Sequence, residues 1–384
     1  MTQRFNERVS AALRARQQSE LLRSVHILEN GNRSTFQKGE EQFVNFSSND
    51  YLGLASSDEL KDAYQAGISL FGVGSGASPL VTGYSAQHES LKSELTEWLG
   101  FEDALFFSSG FSANQAVLFS LMHKGDLLLQ DRLNHASLME AGSLCDADMR
   151  RFRHNDLKHL QSLIKSNVPV LAVTESVFSM DGDQSDVDEF LAVCRASGTM
   201  SMIDDAHGVG VIGKDGAGVS GLSQDKPDIL IVTFGKAFGL NGAAVLCSKD
   251  LANYLTQFAR HYIYSTAFSA AHAYALSKAL NMIKTQHWRR DKLNELASVY
   301  DESLGTLSAH VTTGTPIKPW ILGETSKAQA LCHRLKQKGI WTTAIRPPTV
   351  PDGSARLRIT LSASHQESDV LALASQLKRF TEES

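Results

Sequence analysis

Short apolar runs alternate with amphipathic stretches from about Ser85 onward. Leu91, Leu95 and Leu99 fall four apart and Gly100 follows them. That spacing predicts a helix over Ser85–Leu99. Ala104–Phe107 and Leu127–Gln130 are short enough and apolar enough to be buried strands, with helices predicted over Ala113–Met122 and His135–Leu144. Val170–Thr174, Met200–Asp204, Ile229–Thr233 and Ala243–Cys247 are further apolar runs of about five residues. Runs this short, apolar on both faces and separated by helices, predict a mostly parallel sheet covered by helices, an α/β architecture.

The flanks differ. Phe5, Val9, Ala12, Leu13 and Arg16 stand at helical spacing, so Met1–Arg23 predicts an amphipathic helix that packs on something else. Glu29–Gln42 is polar and hairpin-like, and Phe43–Phe46 leads into Ser47–Gly53. After about Lys284 the predicted order is helix Arg289–Leu304, strand Ile317–Leu322, helix Ser326–Lys338, strand Ile340–Ile345, strand Arg356–Leu361 and helix His365–Phe380. We therefore expect an N-terminal arm over 1–48, a large α/β domain over 49–285 and a small α+β domain over 286–384.

Composition narrows the class. A chain of 384 residues, 42% apolar with 28 glycines, can bury a large core without staples. The 37 basic and 42 acidic residues give a net charge of −5, which argues against a nucleic-acid binder held by a basic surface. No apolar run approaches the roughly 18 residues of a membrane span, and the N-terminus lacks an apolar signal segment. Cys145, Cys194, Cys247 and Cys332 lie far apart with no metal-type spacing. The expectation is a cytoplasmic enzyme with reduced thiols and no metal site.

Polar residues gather after the apolar runs. Val170–Thr174 runs into Glu175, Ser179 and Asp181. Met200–Ile203 runs into Asp204-Asp205-Ala206-His207, and Ile229–Val232 into Thr233-Phe234-Gly235-Lys236. Ligands of open α/β sheets bind beyond the carboxyl ends of the strands, so these segments should converge. A lysine desolvated at such a place has a lowered pKa, and its neutral amine can form a Schiff base with an aldehyde. A carboxylate on a neighbouring strand can hold a protonated pyridine nitrogen, which makes the ring an electron sink. His207 can reach the phenolic oxygen of the same ring. Ser108-Ser109-Gly110-Phe111-Ser112-Ala113-Asn114 follows a strand and opens a helix, as a phosphate site requires. Thr233, Ser265 and Thr266 could add hydroxyl donors. Together these features point to pyridoxal 5′-phosphate.

Other features read two ways. His135 is either a structural histidine or a flat ring stacked on the cofactor. Arg356 and Arg358 share one strand face. They are either solvated charges or, if they face the cleft, one binds a substrate carboxylate. Gly208–Gly213 matches the dinucleotide fingerprint in letters, and Gly72–Ala77 matches its looser form. The first is not followed by a helix pattern and the second does not follow a strand, so a nicotinamide enzyme is set aside.

With these residues in view the chain resembles the α-oxoamine synthases, pyridoxal-phosphate enzymes of fold type I. The resemblance covers essentially the whole chain. It rests on Asn45–Leu54, Gly74–Ser78, Asp204–Gly208 and Thr233–Lys236. Ala344–Pro351, followed by Arg356–Thr360, matches the branch of biotin biosynthesis, which joins L-alanine to a pimeloyl thioester on coenzyme A or acyl carrier protein. A sister synthase using glycine is the alternative.

The resemblance implies that Lys236 carries the cofactor and acts as base, and that Asp204 faces the ring nitrogen. It implies that His135 stacks on the ring, and that His207 and Ser179 hold its phenolic edge. Ser109, Gly110, Phe111, Glu175, Thr233, Ser265 and Thr266 complete the cofactor site. Arg358 and Asn49 take the alanine carboxylate, and Arg23 and Thr349 lie near the acyl group. It also implies a homodimer with active sites at the subunit interface. The chain departs from the family at Pro79-Leu80, where many members carry an arginine or histidine.

Overall fold

The computed structural model describes residues 3–19, 21–165 and 167–383. Near the N-terminus β1 (Thr35–Lys38) and β2 (Glu41–Asn45) form an antiparallel hairpin. The main sheet contains β3 (Asp103–Phe107), β4 (Leu127–Asp131), β5 (Asp148–Phe152), β6 (Val170–Glu175), β7 (Met200–Asp204), β8 (Ile229–Thr233) and β9 (Ala243–Cys247). Its order is β3-β9-β8-β7-β6-β4-β5. Only β9 runs against its neighbours β3 and β8; the remaining pairs are parallel. All five residues of β4, β8 and β9 are buried. Each leucine of Leu127–Leu129 removed from water contributes about 1.5–3 kcal/mol, which fixes the central strands firmly. Separate hydrophobic clusters pack on the two sides of this sheet.

The predicted helix over Ser85–Leu99 is present as Ala86–Leu99. Ser85 forms a capping box with His88, and Gly100 closes the other end in the left-handed region. The apolar pattern leaves several helices unmarked, among them Leu157–Leu163 and Val187–Ser197 and three more. Ala270–Thr285 buries nine of its sixteen residues, many of them alanines, so no polar face marks it. Asp58–Phe71 and Lys249–Phe258 are the others. Strand β5 was also missed, because an edge strand reading Asp-Met-Arg-Arg-Phe buries only Phe152.

The C-terminal part contains β10 (Ile317–Gly323), β11 (Ile340–Trp341), β12 (Thr343–Ile345) and β13 (Ala355–Thr360). β10, β13 and β12 make an antiparallel sheet. The single strand expected over Ile340–Ile345 is two. Ile340 and Trp341 pair in parallel with β2, where Trp341 packs on Phe36 and Phe43. The chain then crosses at Thr342 to join β13. The N-terminal hairpin is thus built into the C-terminal part. The N-terminal helix spans Gln3–Gln18 and buries no residue, with Phe5, Val9 and Leu13 exposed to 52%, 44% and 54%. Among the described residues it finds no packing partner. No described helix is long and apolar enough to cross a membrane.

Candidate active site

The parallel strands β6, β7 and β8 end side by side, with Glu175 paired in register with Asp204. A cavity of about 290 Å³ opens there. It is lined by Asn49, Ser109, Gly110, Phe111, His135, Glu175, Asp204, His207, Thr233 and Lys236. Ten residues singled out in the sequence, drawn from six segments, therefore meet in one place.

Neighbouring residues of a strand point to opposite sides, and the two aspartates illustrate this. Asp204 accepts a hydrogen bond from Asn114 Nδ2 at 2.7 Å and lines the cavity. Asp205 turns away and accepts from Ser176 Oγ and from the Val219 amide. Burial pushes the Asp205 carboxyl up to about 7, against the lowering effect of those hydrogen bonds. The glycine run Gly208–Gly213 folds back over Asp205 and continues into one tight helical turn at Lys214–Gly216, not into a helix. The dinucleotide fingerprint is thus absent in three dimensions.

Lys236 follows β8 and faces Asp204. Burial lowers its amine to about 8, opposed by the charges of Asp204 and Glu175. Near neutral pH a useful fraction is neutral, as a nucleophilic or basic lysine requires. Burial pushes the Glu175 carboxyl well above its ordinary range, with the charge of Asp204 adding to the effect. Glu175 accepts the backbone N–H of His135. The ring of His135 meets Ser137 Oγ at 2.8 Å, and its pKa is lowered by burial.

Burial also holds His207 well below its ordinary pKa, so its ring is neutral. Its Nδ1 lies 2.6 Å from the hydroxyl of Tyr51, which also accepts from Arg358 Nη2 at 3.3 Å. The Tyr51 hydroxyl also donates to Asn49 Oδ1 at 3.3 Å; when it gives its proton to the nearer Nδ1 instead, the ring proton stands on Nε2. Tyr51 and Asn114 were not singled out, although both lie inside the motifs that were read. Each has one polar and one apolar neighbour (Asp50 and Leu52, Ala113 and Gln115), so the local pattern carries no signal for either.

The two arginines of β13 separate clearly. Both are buried, to 7% and 8% exposure. Arg356 pairs with the Asp181 carboxylate. Arg358 meets neutral oxygens: Asn49 Oδ1 at 3.0 Å, the Ser179 carbonyl and the Tyr51 hydroxyl. Ser179 thus offers its carbonyl to Arg358, and it does not line the cavity.

Four expected residues stand elsewhere. Ser265 and Thr266 line a separate small pocket with Pro79, and Ser108 borders both. Arg23 and Thr349 line a groove of about 580 Å³ between the N-terminal arm and the β12–β13 loop.

The cavity fits pyridoxal phosphate. Helix Gly110–Leu121 starts at its wall, capped by Ser109, and the first N–H groups of a helix lack intrahelical acceptors. A Cβ at position 110 would come 2.5 Å from Thr233 Cγ2, so glycine alone leaves this approach open. Asp204 supplies the carboxylate for a pyridinium, and Asn114 holds it in place. Among the described residues no group of side chains is placed to hold a metal ion.

The aminotransferase class I and II family matches residues 41–377. The 8-amino-7-oxononanoate synthase of Vibrio vulnificus (strain CMCP6) is 54% identical over all of both chains. That of Aliivibrio fischeri (strain ATCC 700601 / ES114) is 56% identical over 99% of this chain and 100% of its own. Among solved structures, serine palmitoyltransferase of Sphingomonas wittichii superposes with a TM-score of 0.90 at 24% identity. It covers 100% of this chain and 98% of its own, and shows the shared fold type I architecture. The 8-amino-7-oxononanoate synthase of Francisella tularensis gives 0.77 at 29% identity, over 89% of this chain and 98% of its own. With a family match across the cavity and end-to-end likeness to these synthases, the chain belongs to the aminotransferase class I and II family and, within it, to the 8-amino-7-oxononanoate synthases.

Proposed function

We propose that the chain condenses L-alanine with a pimeloyl thioester, releasing carbon dioxide and the thiol carrier and forming 8-amino-7-oxononanoate for biotin biosynthesis. The observation that carries this reading is one cavity lined by Lys236, Asp204 and Asn49, with Arg358 donating to Asn49 Oδ1 from behind that wall and lacking a carboxylate partner among the described residues. The cofactor is pyridoxal 5′-phosphate, whose protonated ring, when bound, stabilises negative charge at the substrate α-carbon.

Lys236 would hold the cofactor through its amine and would serve as the base for the α-proton of alanine; its lowered pKa suits both roles. Asp204, fixed by Asn114, keeps the ring nitrogen protonated. His135, on the cavity wall, would pack against the ring. The Nε2 proton of His207, directed by the Tyr51–Nδ1 contact, is offered to the phenolic oxygen. The N-terminus of helix Gly110–Leu121 takes the phosphate. Arg358 binds the alanine carboxylate in bidentate fashion with Asn49 beside it, because Arg356 is already neutralised by Asp181. Arg23 and Thr349 take the far end of the acyl group.

We also read the active unit as a homodimer. Phe111, at the cavity wall, is exposed, as are Phe71, Leu80, Val81 and Tyr264. Ser265 and Thr266 would complete the partner's phosphate site. Mixing Lys236→Ala chains with Thr266→Ala chains should then restore part of the activity. A fully active monomer at nanomolar concentration would end this part of the reading. The reaction itself is tested by supplying pimeloyl thioester with alanine or glycine and following carbon dioxide and the amino ketone. Preference for glycine would reassign the chain to a sister synthase.

A further inference from the structure

The hairpin Ser176–Ser185 leaves the carboxyl end of β6 and reaches the C-terminal sheet. Val177 and Gln184 bridge its arms, and the Gly182 amide donates to the Phe178 carbonyl at 2.9 Å. Its tip is fastened to β10 and β13. Arg356 pairs with Asp181, Arg358 Nε donates to the Ser179 carbonyl, and the Thr315 hydroxyl donates to the Gly182 carbonyl at 2.8 Å. A Cβ at position 182 would come 2.3 Å from the Ile317 carbonyl oxygen, so hairpin and β10 backbone touch directly. The direction of the Arg358 guanidinium therefore depends on where this hairpin sits.

His154, just after β5, holds the hairpin from the other side. Its Nδ1 lies 3.0 Å from Asp131 Oδ1, and its Nε2 lies 2.7 Å from Asp183 Oδ2. Ionised carboxylates only accept hydrogen bonds, so a ring that meets one at each nitrogen must donate from both. The ring is an imidazolium, and these two carboxylates also raise its pKa, to about 9, against the opposing effect of burial. It stands edge-on to Phe178 of the hairpin, with centroids 4.4 Å apart. Asp131, fully buried at the end of β4, also accepts the amides of Leu133 and Asn155. Leu133 lies two residues before His135. The line Asp131–His154–Asp183 thus ties the turn that carries His135 to the hairpin that carries the Arg358 acceptor.

We propose that His154 is a positioning residue: its imidazolium clamps the Ser176–Ser185 hairpin and so keeps Arg358 aimed for the carboxylate of the amino-acid substrate. The proposal rests on the reading of Arg358 given above. It is tested on the holoenzyme by steady-state kinetics of His154→Gln, Asp183→Ala, Arg358→Lys and the double variant His154→Gln/Arg358→Lys. His154→Gln should raise the KM for alanine roughly tenfold, with kcat and the thioester KM within about twofold. Asp183→Ala, cut from a partly exposed side chain, should give the same split and covers the case in which His154→Gln folds poorly. The double variant should bind alanine no worse than Arg358→Lys alone, because both changes spoil one contact.

If Arg358→Lys weakens alanine while His154→Gln and Asp183→Ala do not, the clamp is wrong and the Arg358 reading stands. Additive losses in the double variant, or equal losses for alanine and thioester, would make His154 a merely structural residue. If Arg358→Lys leaves alanine binding untouched, the carboxylate assignment falls and the clamp with it.

Discussion

The cavity and the groove beside the N-terminal arm are made of different kinds of chain. Most cavity groups stand at, or within a few residues of, the end of a buried strand: Glu175 and Asp204 on β6 and β7, Thr233 and Lys236 at the end of β8. Their positions follow from backbone ladders and side chains packed on both sheet faces. The groove takes Arg23 from residues 21–28, which form neither helix nor strand, and Thr349 from the loop between β12 and β13. Arg346 Nη2 donates to the Leu22 carbonyl at 3.3 Å across this groove. Chemistry that needs atoms fixed to fractions of an ångström belongs on the first kind of scaffold, and adaptable recognition of a flexible acyl chain suits the second. Substitutions in the cavity should therefore cost turnover, and substitutions in the groove should cost acyl affinity.

The sharpest way to break this contrast is Lys236→Ala. Turnover should fall about 10²–10⁴-fold for loss of the general base. Borohydride reduction followed by peptide mapping should label Lys236 in the native enzyme; label on another lysine would remove the centre of the cavity. Next in size is the aspartate pair. Asp204→Asn should cost about 10²–10³-fold in turnover, and Asp205→Asn should leave turnover within a few-fold, since its carboxylate faces Ser176 and Val219. The reverse result would mean that the face assignment on β7 is inverted.

The same contrast explains what could be read in the sequence. The cavity was legible because a buried parallel strand is a continuous apolar run, and the polar residue ending it stands out. Asp204, Thr233 and Lys236 needed only that rule. Ser109–Phe111 joined them by the chemistry of a phosphate site at a helix start, although strand order is not written in any one segment. Arg23 and Thr349 are more than three hundred residues apart and no periodicity links them, so resemblance alone paired them. The split of Ile340–Ile345 was hidden because both halves are extended, and only the partner changes. The clamp at His154 was invisible for a similar reason: Asp131, His154 and Asp183 come from three separate elements, and the edge strand preceding the histidine has no strand-like pattern.

Arg358→Ala and Arg356→Ala sharpen the boundary of the cavity. Arg358→Ala should weaken alanine roughly ten- to a hundredfold, the loss of a charged hydrogen-bonding partner of about 1.5–3 kcal/mol. Arg356→Ala strands Asp181 and should act mainly on stability, with a smaller change in alanine affinity. In the groove, Thr349→Val and Arg23→Ala should raise the KM for the thioester roughly tenfold. Alanine binding, followed by the shift of the cofactor's visible absorption, should stay nearly constant. Equal weakening of both substrates would erase the division between cavity and groove.

The smallest expected effect concerns how firmly the cavity wall is held. His154 is charged in the folded protein up to about pH 9, whereas an unfolded histidine titrates near 6.5. A folded pKa above the unfolded value means a stabilisation that is fully present below about pH 6.5. It declines as pH rises toward 9 and is lost above that, because both states are then neutral. Asp131 and Asp183 are the charged groups that face the ring, from β4 and from the hairpin. The stabilisation is on the order of 2 kcal/mol, less than the full linkage value because the ring is partly open to solvent. Denaturant unfolding of the holoenzyme and of His154→Gln, run from about pH 6 to about pH 9.5, isolates it, since other titrating groups act on both proteins alike. The gap between the two midpoints should narrow steadily with rising pH. A gap that stays constant would mean that the ring holds the hairpin by packing on Phe178, and that its charge contributes nothing to the rigidity of the cavity.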